Sequence, residues 1–125
     1  MKNLRFQAYE TNVTAANNRT SISFSVNQDY EKVIGIFAVV NDKEQMANME
    51  LQLKHQSVEI LPEKFDLCLI NEKDNIAMND YMYHCDLTGK NSKITGNIIM
   101  GNDVNGKFPV RVKLYLVCSD ANTKE

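Results

Sequence analysis

Between Pro109 and Cys118 the chain alternates: Val110, Val112, Leu114, Leu116 and Cys118 fall on one side, and Arg111, Lys113 and Tyr115 on the other. A repeat of two is the period of an extended strand with one face on a core and the other toward water. A helix would scatter the same residues around its whole surface. Pro109 is placed to open the strand, where its missing N–H costs no needed ladder bond.

The same period returns along the chain. Ile22, Phe24 and Val26 alternate with Ser21, Ser23 and Ser25; Met49, Leu51 and Leu53 with Glu50, Gln52 and Lys54; Tyr81, Tyr83, Cys85 and Leu87 with Met82, His84 and Asp86. Phe65, Leu67 and Leu69 alternate with Asp66, Cys68 and Ile70, predicting a strand there too. Val58 and Ile60 make a short strand ended by Leu61-Pro62, and Asn3 to Tyr9 a first one. Ile94, Ile98 and Met100 belong to a strand expected to kink near Gly96. Lys32 to Val40 is apolar on both faces and is expected to be central and covered on each side. Gly35 within it points to a bulge or the close approach of another backbone. Asp42-Lys43-Glu44-Gln45 fits a capping box, so a turn of helix from Asp42 to about Ala47 is expected before the next strand.

Asn-, Asp- and Gly-rich stretches separate these runs, at Asn27–Tyr30, Asn71–Asn75, Thr88–Asn91 and Gly101–Gly106. Strands therefore recur about every ten residues, about eight or nine in all. That pattern predicts an all-β, antiparallel β-sandwich, a single jelly roll of about eight strands in preference to a seven-stranded immunoglobulin-like sandwich. At 125 residues the chain is expected to form one domain, 1–125.

Composition narrows the partners. Hydrophobic residues are 43% and charged residues 24%, which is ordinary for a folded chain and argues against disorder. The net charge of −2 supplies no positive field for a phosphate backbone, so no nucleic-acid partner is expected. Met1 to Gln7 carries no signal-peptide run, and the longest apolar stretch, Val33 to Val40, is too short for a membrane span. No membrane insertion is expected, and folding is expected in a cytoplasm. Cys68, Cys85 and Cys118 are odd in number and sit in strand-like patterns; they read as free thiols, with a disulfide between two of them left open.

The search for chemistry assigns no catalytic, cofactor-binding or metal-ligating residue. His55 and His84 are the only histidines, and His84 and Cys85, being adjacent, point to opposite faces of a strand. The Gly101–Gly106 loop resembles a calcium loop, but aligned on Gly106 the first and twelfth ligand positions hold Gly101 and Val112. There is no nucleophile elbow and no phosphate-cradling loop, and Asp66, Asp80 and Asp86 are scattered. With no tryptophan, a sugar platform would fall to Tyr9, Tyr30, Tyr81, Tyr83 or Tyr115. The polar stretch Asn12 to Thr20 reads as a mobile loop, or as an arm that orders against neighbours in an assembly.

The run Asn27-Gln28-Asp29-Tyr30-Glu31-Lys32-Val33-Ile34-Gly35-Ile36 is followed by Met49-Glu50-Leu51-Gln52-Leu53, then Glu59-Ile60-Leu61-Pro62-Glu63-Lys64-Phe65 and the segment ending at Ile70. From Asn27 to Tyr83 this order resembles small virion proteins of bacteriophages that infect Bacteroidota. The resemblance implies a jelly-roll capsid, vertex, minor capsid or decoration subunit. Such a subunit folds in the host bacterial cytoplasm, resides in the virion, and partners other copies of itself and neighbouring virion proteins in a homo-oligomer. No functional residue is carried over. A carbohydrate-binding or adhesin-like module is the alternative, and a small β-sandwich enzyme the third reading.

Overall fold

A computed structural model describes residues 4–62, 64–102 and 107–120. Eight strands lie among them: β1 (Leu4–Val13), β2 (Arg19–Ser25), β3 (Tyr30–Val40), β4 (Met49–His55), β5 (Val58–Leu61), β6 (Tyr83–Thr88), β7 (Lys93–Met100) and β8 (Val110–Asp120). Two helical turns, α1 (Lys43–Met46) and α2 (Met78–Tyr81), and a 3-10 turn (Leu67–Ile70) complete the order.

The strands form two four-stranded sheets, β1-β8-β3-β6 and β2-β7-β4-β5. First pairs with eighth, second with seventh, third with sixth and fourth with fifth, all antiparallel. The chain is thus one long antiparallel ribbon doubled back at the β4–β5 hairpin, and the β3·β8 and β4·β7 ladders roll it up. This wiring is the jelly roll the strand count predicts.

Alternation decides what each strand buries. Val110, Val112, Leu114, Leu116 and Cys118 of β8 are all at most 1% exposed, and they meet Leu51, Leu53, Ile94 and Ile98 from the other sheet in one core cluster. The expected α1 is present: Asp42 Oδ1 accepts from the Glu44 and Gln45 amides, both at 3.1 Å. The hairpin turn holds Gln56 and Ser57 at φ 52° and 69°, the pair of left-handed residues a two-residue loop needs. Gln56 Oε1 accepts from the Lys93 amide and the Gln56 amide donates to Lys93 O, both at 2.9 Å, fixing that strained corner to β7.

Four expectations change. Phe65–Ile70 is not a strand. The segment crosses from one sheet to the other, with Leu51 N donating to Phe65 O and Glu72 N to Ala38 O, both at 2.8 Å. Its 3-10 period of three turns Leu67 and Ile70 into the core end and leaves Leu69 in water. Tyr81 and Met82 precede β6 instead of opening it, because α2 turns the chain onto the outer face of the sheet. Both ladders run through Gly96 without a register shift. Asn12–Thr20 is not an arm: Asn12 and Val13 are in β1 and Arg19 and Thr20 in β2. Across the link, Asn17 N donates to Gly101 O and Met100 N to Asn18 O, both at 2.8 Å.

Candidate functional site

β3 is apolar on both faces, and the structure shows what covers each. Its inner side meets the core; its outer side carries Phe37, buried with Met82 and Val117 in a second cluster. Phe37 stacks on Tyr115 of β8 (ring centroids 5.1 Å apart) and meets Tyr81 edge-on at 5.6 Å. Met82 lies on Gly35, where any Cβ would overlap its sulfur, and the ladder bulges there. The close approach expected at Gly35 thus comes from a side chain and not from another backbone. Lys73 pins this cover, donating to Cys68 O and Asn71 O at 3.2 Å with its ammonium 5.9 Å above the Tyr81 ring. Partial burial, and then the Glu72 carboxylate, raise the Tyr81 phenol above its ordinary value.

The cover stops short of β1. Leu4 and Phe6 project from the same outer face and are 43% and 51% exposed, although Phe6 stands opposite the buried Val117. The inward side of β1 is the more polar one. Gln7 donates to Ser25 O at 2.9 Å and accepts from the Asn27 amide at 2.8 Å, and Tyr9 stacks on Phe24 at 4.7 Å. Val13 is fully buried. Further exposed apolar side chains are Val58 at the hairpin tip, and Leu69 and Ile76 beside the crossover.

A cleft of about 640 Å³ opens near that crossover, lined by Lys43, Met46, Leu69, Asn71, Glu72 and Asp80 among others. Asn71 is 4% exposed; its Nδ2 donates to Glu72 O at 2.9 Å, and its buried Oδ1 has no partner among the described residues. Smaller clefts lie beside Asn41–Glu44 with Lys107–Pro109 and at the hairpin tip.

The residues singled out for chemistry do not converge. His55 Nε2 lies 2.9 Å from Thr88 O at the end of β6, and His84 Nε2 lies 2.6 Å from Asn79 O in α2, each engaged with a main-chain carbonyl. Asp86 pairs with Lys32 at 3.1 Å on the surface, while Asp66 precedes the 3-10 turn and Asp80 sits in α2. No group of three or more metal-ligating side chains gathers among the described residues. No helix among them is long and apolar enough to cross a membrane. Most of the calcium-like loop, 103–106, lies outside the described residues.

The three cysteines are free, as read. Burial pushes the Cys85 thiol up to about 12, with Asp86 and Cys118 adding to it, and pushes Cys118 up to about 11, from an ordinary 9.0. In the native protein at pH 8 Cys118 is expected to react with a disulfide reagent at a rate on the order of 100-fold below an ordinary thiol, Cys85 more slowly still, and both fully after unfolding. The unfolded chain ionises first, so stability is level below pH 9 and falls as pH rises toward 11. A native titration that modifies Cys118 within seconds at pH 8 would contradict the burial described.

No protein-family model matches the chain, and no curated protein and no solved structure is significantly similar to it.

Proposed function

We propose that the chain is a non-enzymatic structural subunit of a bacteriophage virion. It acts as a capsid building block at a vertex, minor capsid or decoration position, after folding in the host cytoplasm. The supporting observation is the apolar surface left uncovered on a jelly roll that has otherwise closed its core: Leu4 and Phe6 on β1, and Leu69 and Ile76 beside the crossover. Large apolar side chains in water are a cost that contact with neighbouring subunits removes. A jelly roll presents loops at both ends and edge strands at its sides for such contacts. Fold by itself does not assign function, so the reading rests on that surface and on the sequence resemblance.

A carbohydrate-binding module is the second reading, favoured by the cleft that Asn71, Asp74 and Asp80 help to line. Light scattering across a concentration series, followed by electron microscopy of the concentrated protein, separates the two. Discrete rings or closed particles are the expected result. A protein that forms no higher assembly and binds a glycan on an array overturns the virion reading.

A further inference from the structure

We propose that β1 is a self-association strand: it pairs antiparallel with β1 of a second copy about a two-fold axis through Phe6, joining the two outer sheets into one. β1 is the end strand of its sheet, bonded along ten residues to β8 on one side only. An edge of that length is a template for another chain unless something blunts it. Gln7 turns its side chain inward to Ser25 and Asn27, Arg5 Nη1 donates to Leu4 O at 3.2 Å near the end of the strand, and among the described residues no strand pairs with this edge.

The second observation is the inverted face. β1 turns Gln7 and Tyr9 inward and Leu4, Phe6 and Ala8 outward, all three of the latter exposed. Local sequence preference and tertiary placement disagree here, and such disagreements concentrate where a surface is used. The apolar outer band begins at Met82 and Phe37, passes through Val117 to Phe6, and ends there in water. A neighbouring strand continues it.

The occupant follows from the residues of β1 itself. A two-fold axis normal to the sheet keeps outer faces together, so residues of equal parity stand opposite. Centred on Phe6, the pairing sets Phe6 against Phe6, Leu4 against Ala8 and Arg5 against Gln7. Centred on Ala8, it sets Phe6 against Glu10; centred on Arg5 or Glu10, it faces like charges. Centred on Gln7, it sets Leu4 against Glu10. Only the Phe6 register opposes apolar to apolar and leaves Glu10, beside Lys113 at 4.0 Å, outside the apolar pairs.

Directly opposed residues have Cβ atoms about 4.5–5.5 Å apart, and a disulfide needs about 3.5–4.5 Å, so a small shift of the paired edge strands lets the opposed thiols cross-link on mild oxidation. In the full chain carrying Cys68→Ser, Phe6→Cys is expected to give a cross-linked dimer on a non-reducing gel. Ala8→Cys is expected to stay monomeric, because the two Ala8 positions lie on opposite sides of the axis. Without oxidant, Phe6→Lys is expected to shift the mass from dimer to monomer with the circular dichroism spectrum unchanged. Equal cross-linking of both cysteine variants, or a wild-type chain of monomer mass at every concentration, overturns the pairing. The pairing and the virion reading fail separately. Cross-linked dimers that never form particles sink only the virion reading, and particles in which Phe6→Cys does not cross-link sink only the pairing.

Discussion

Replacing Ile98 by alanine is expected to lower the unfolding free energy by about 4 kcal/mol. Ile98 is fully buried in β7, an interior strand, and stands opposite Leu51 of β4, also fully buried. Truncation removes the transfer energy of the lost carbons and leaves a cavity, because ladders on both sides of β7 hold its backbone in place. Against a typical total of roughly 5–15 kcal/mol this is a large fraction, and in a domain of this size it lowers the melting midpoint by about 12 °C. Val58→Ala is the control. Val58 is as apolar in sequence, yet 67% exposed at the hairpin tip, and its truncation is expected to cost less than about 0.5 kcal/mol. Urea titrations of the two variants measure the difference; equal midpoints would mean the burial pattern is wrong.

That contrast marks what the sequence could and could not carry. Where a strand has one face on the core, alternation is enough: β2 and β8 are where the pattern places them, and so is the helix capped by Asp42. It fails where two periods share the same residues. Leu67 and Ile70 are three apart and buried together, but Phe65, Leu67 and Leu69 also alternate, and only the contacts to Leu51 and Ala38 decide between them. The hairpin turn was equally silent, because Gln56 and Ser57 are poor left-handed residues, held there by Lys93 on another strand. Pairing partners as distant as Leu4 and Ser119 leave no local trace at all.

The candidate surface was the least legible part, for a physical reason. Shifting a strand's parity by one residue exchanges its two faces. β1 offered Leu4, Phe6 and Ala8 on one face and Gln7, Tyr9 and Val13 on the other. Pattern alone favours burying the first set. The fold turns the second inward, because Tyr9 has Phe24 to stack on, Gln7 has two main-chain partners to satisfy, and Val13 reaches the core. Leu69 is exposed by the same kind of decision, made by the crossover.

Gly96→Ala is the second large effect, and it tests how β4 and β7 are spaced within their sheet. Gly96 lies in β7 opposite Ile22 on one side and Leu53 on the other. A Cβ there would overlap the Gln52 carbonyl oxygen and sit 3.0 Å from its carbon and 3.1 Å from Leu53 Cα. The obstruction is main chain and not the end of a flexible side chain, so nothing can swing aside. Relief requires β4 to move from β7, which opens the ladder through the centre of the sheet. The expected cost is about 3 kcal/mol, at the upper end for adding one methyl to a packed site. Gly101→Ala supplies the comparison: its Cβ would lie 3.2 Å from Asn48 O, a contact a small shift relieves, and a loss below about 1 kcal/mol is expected. If Gly96 were there only to kink the strand, the regular ladders on both sides would accept alanine and the two variants would unfold together. A Gly96→Ala midpoint far below that of Gly101→Ala assigns the glycine to the backbone approach that lets β4 and β7 close the sheet.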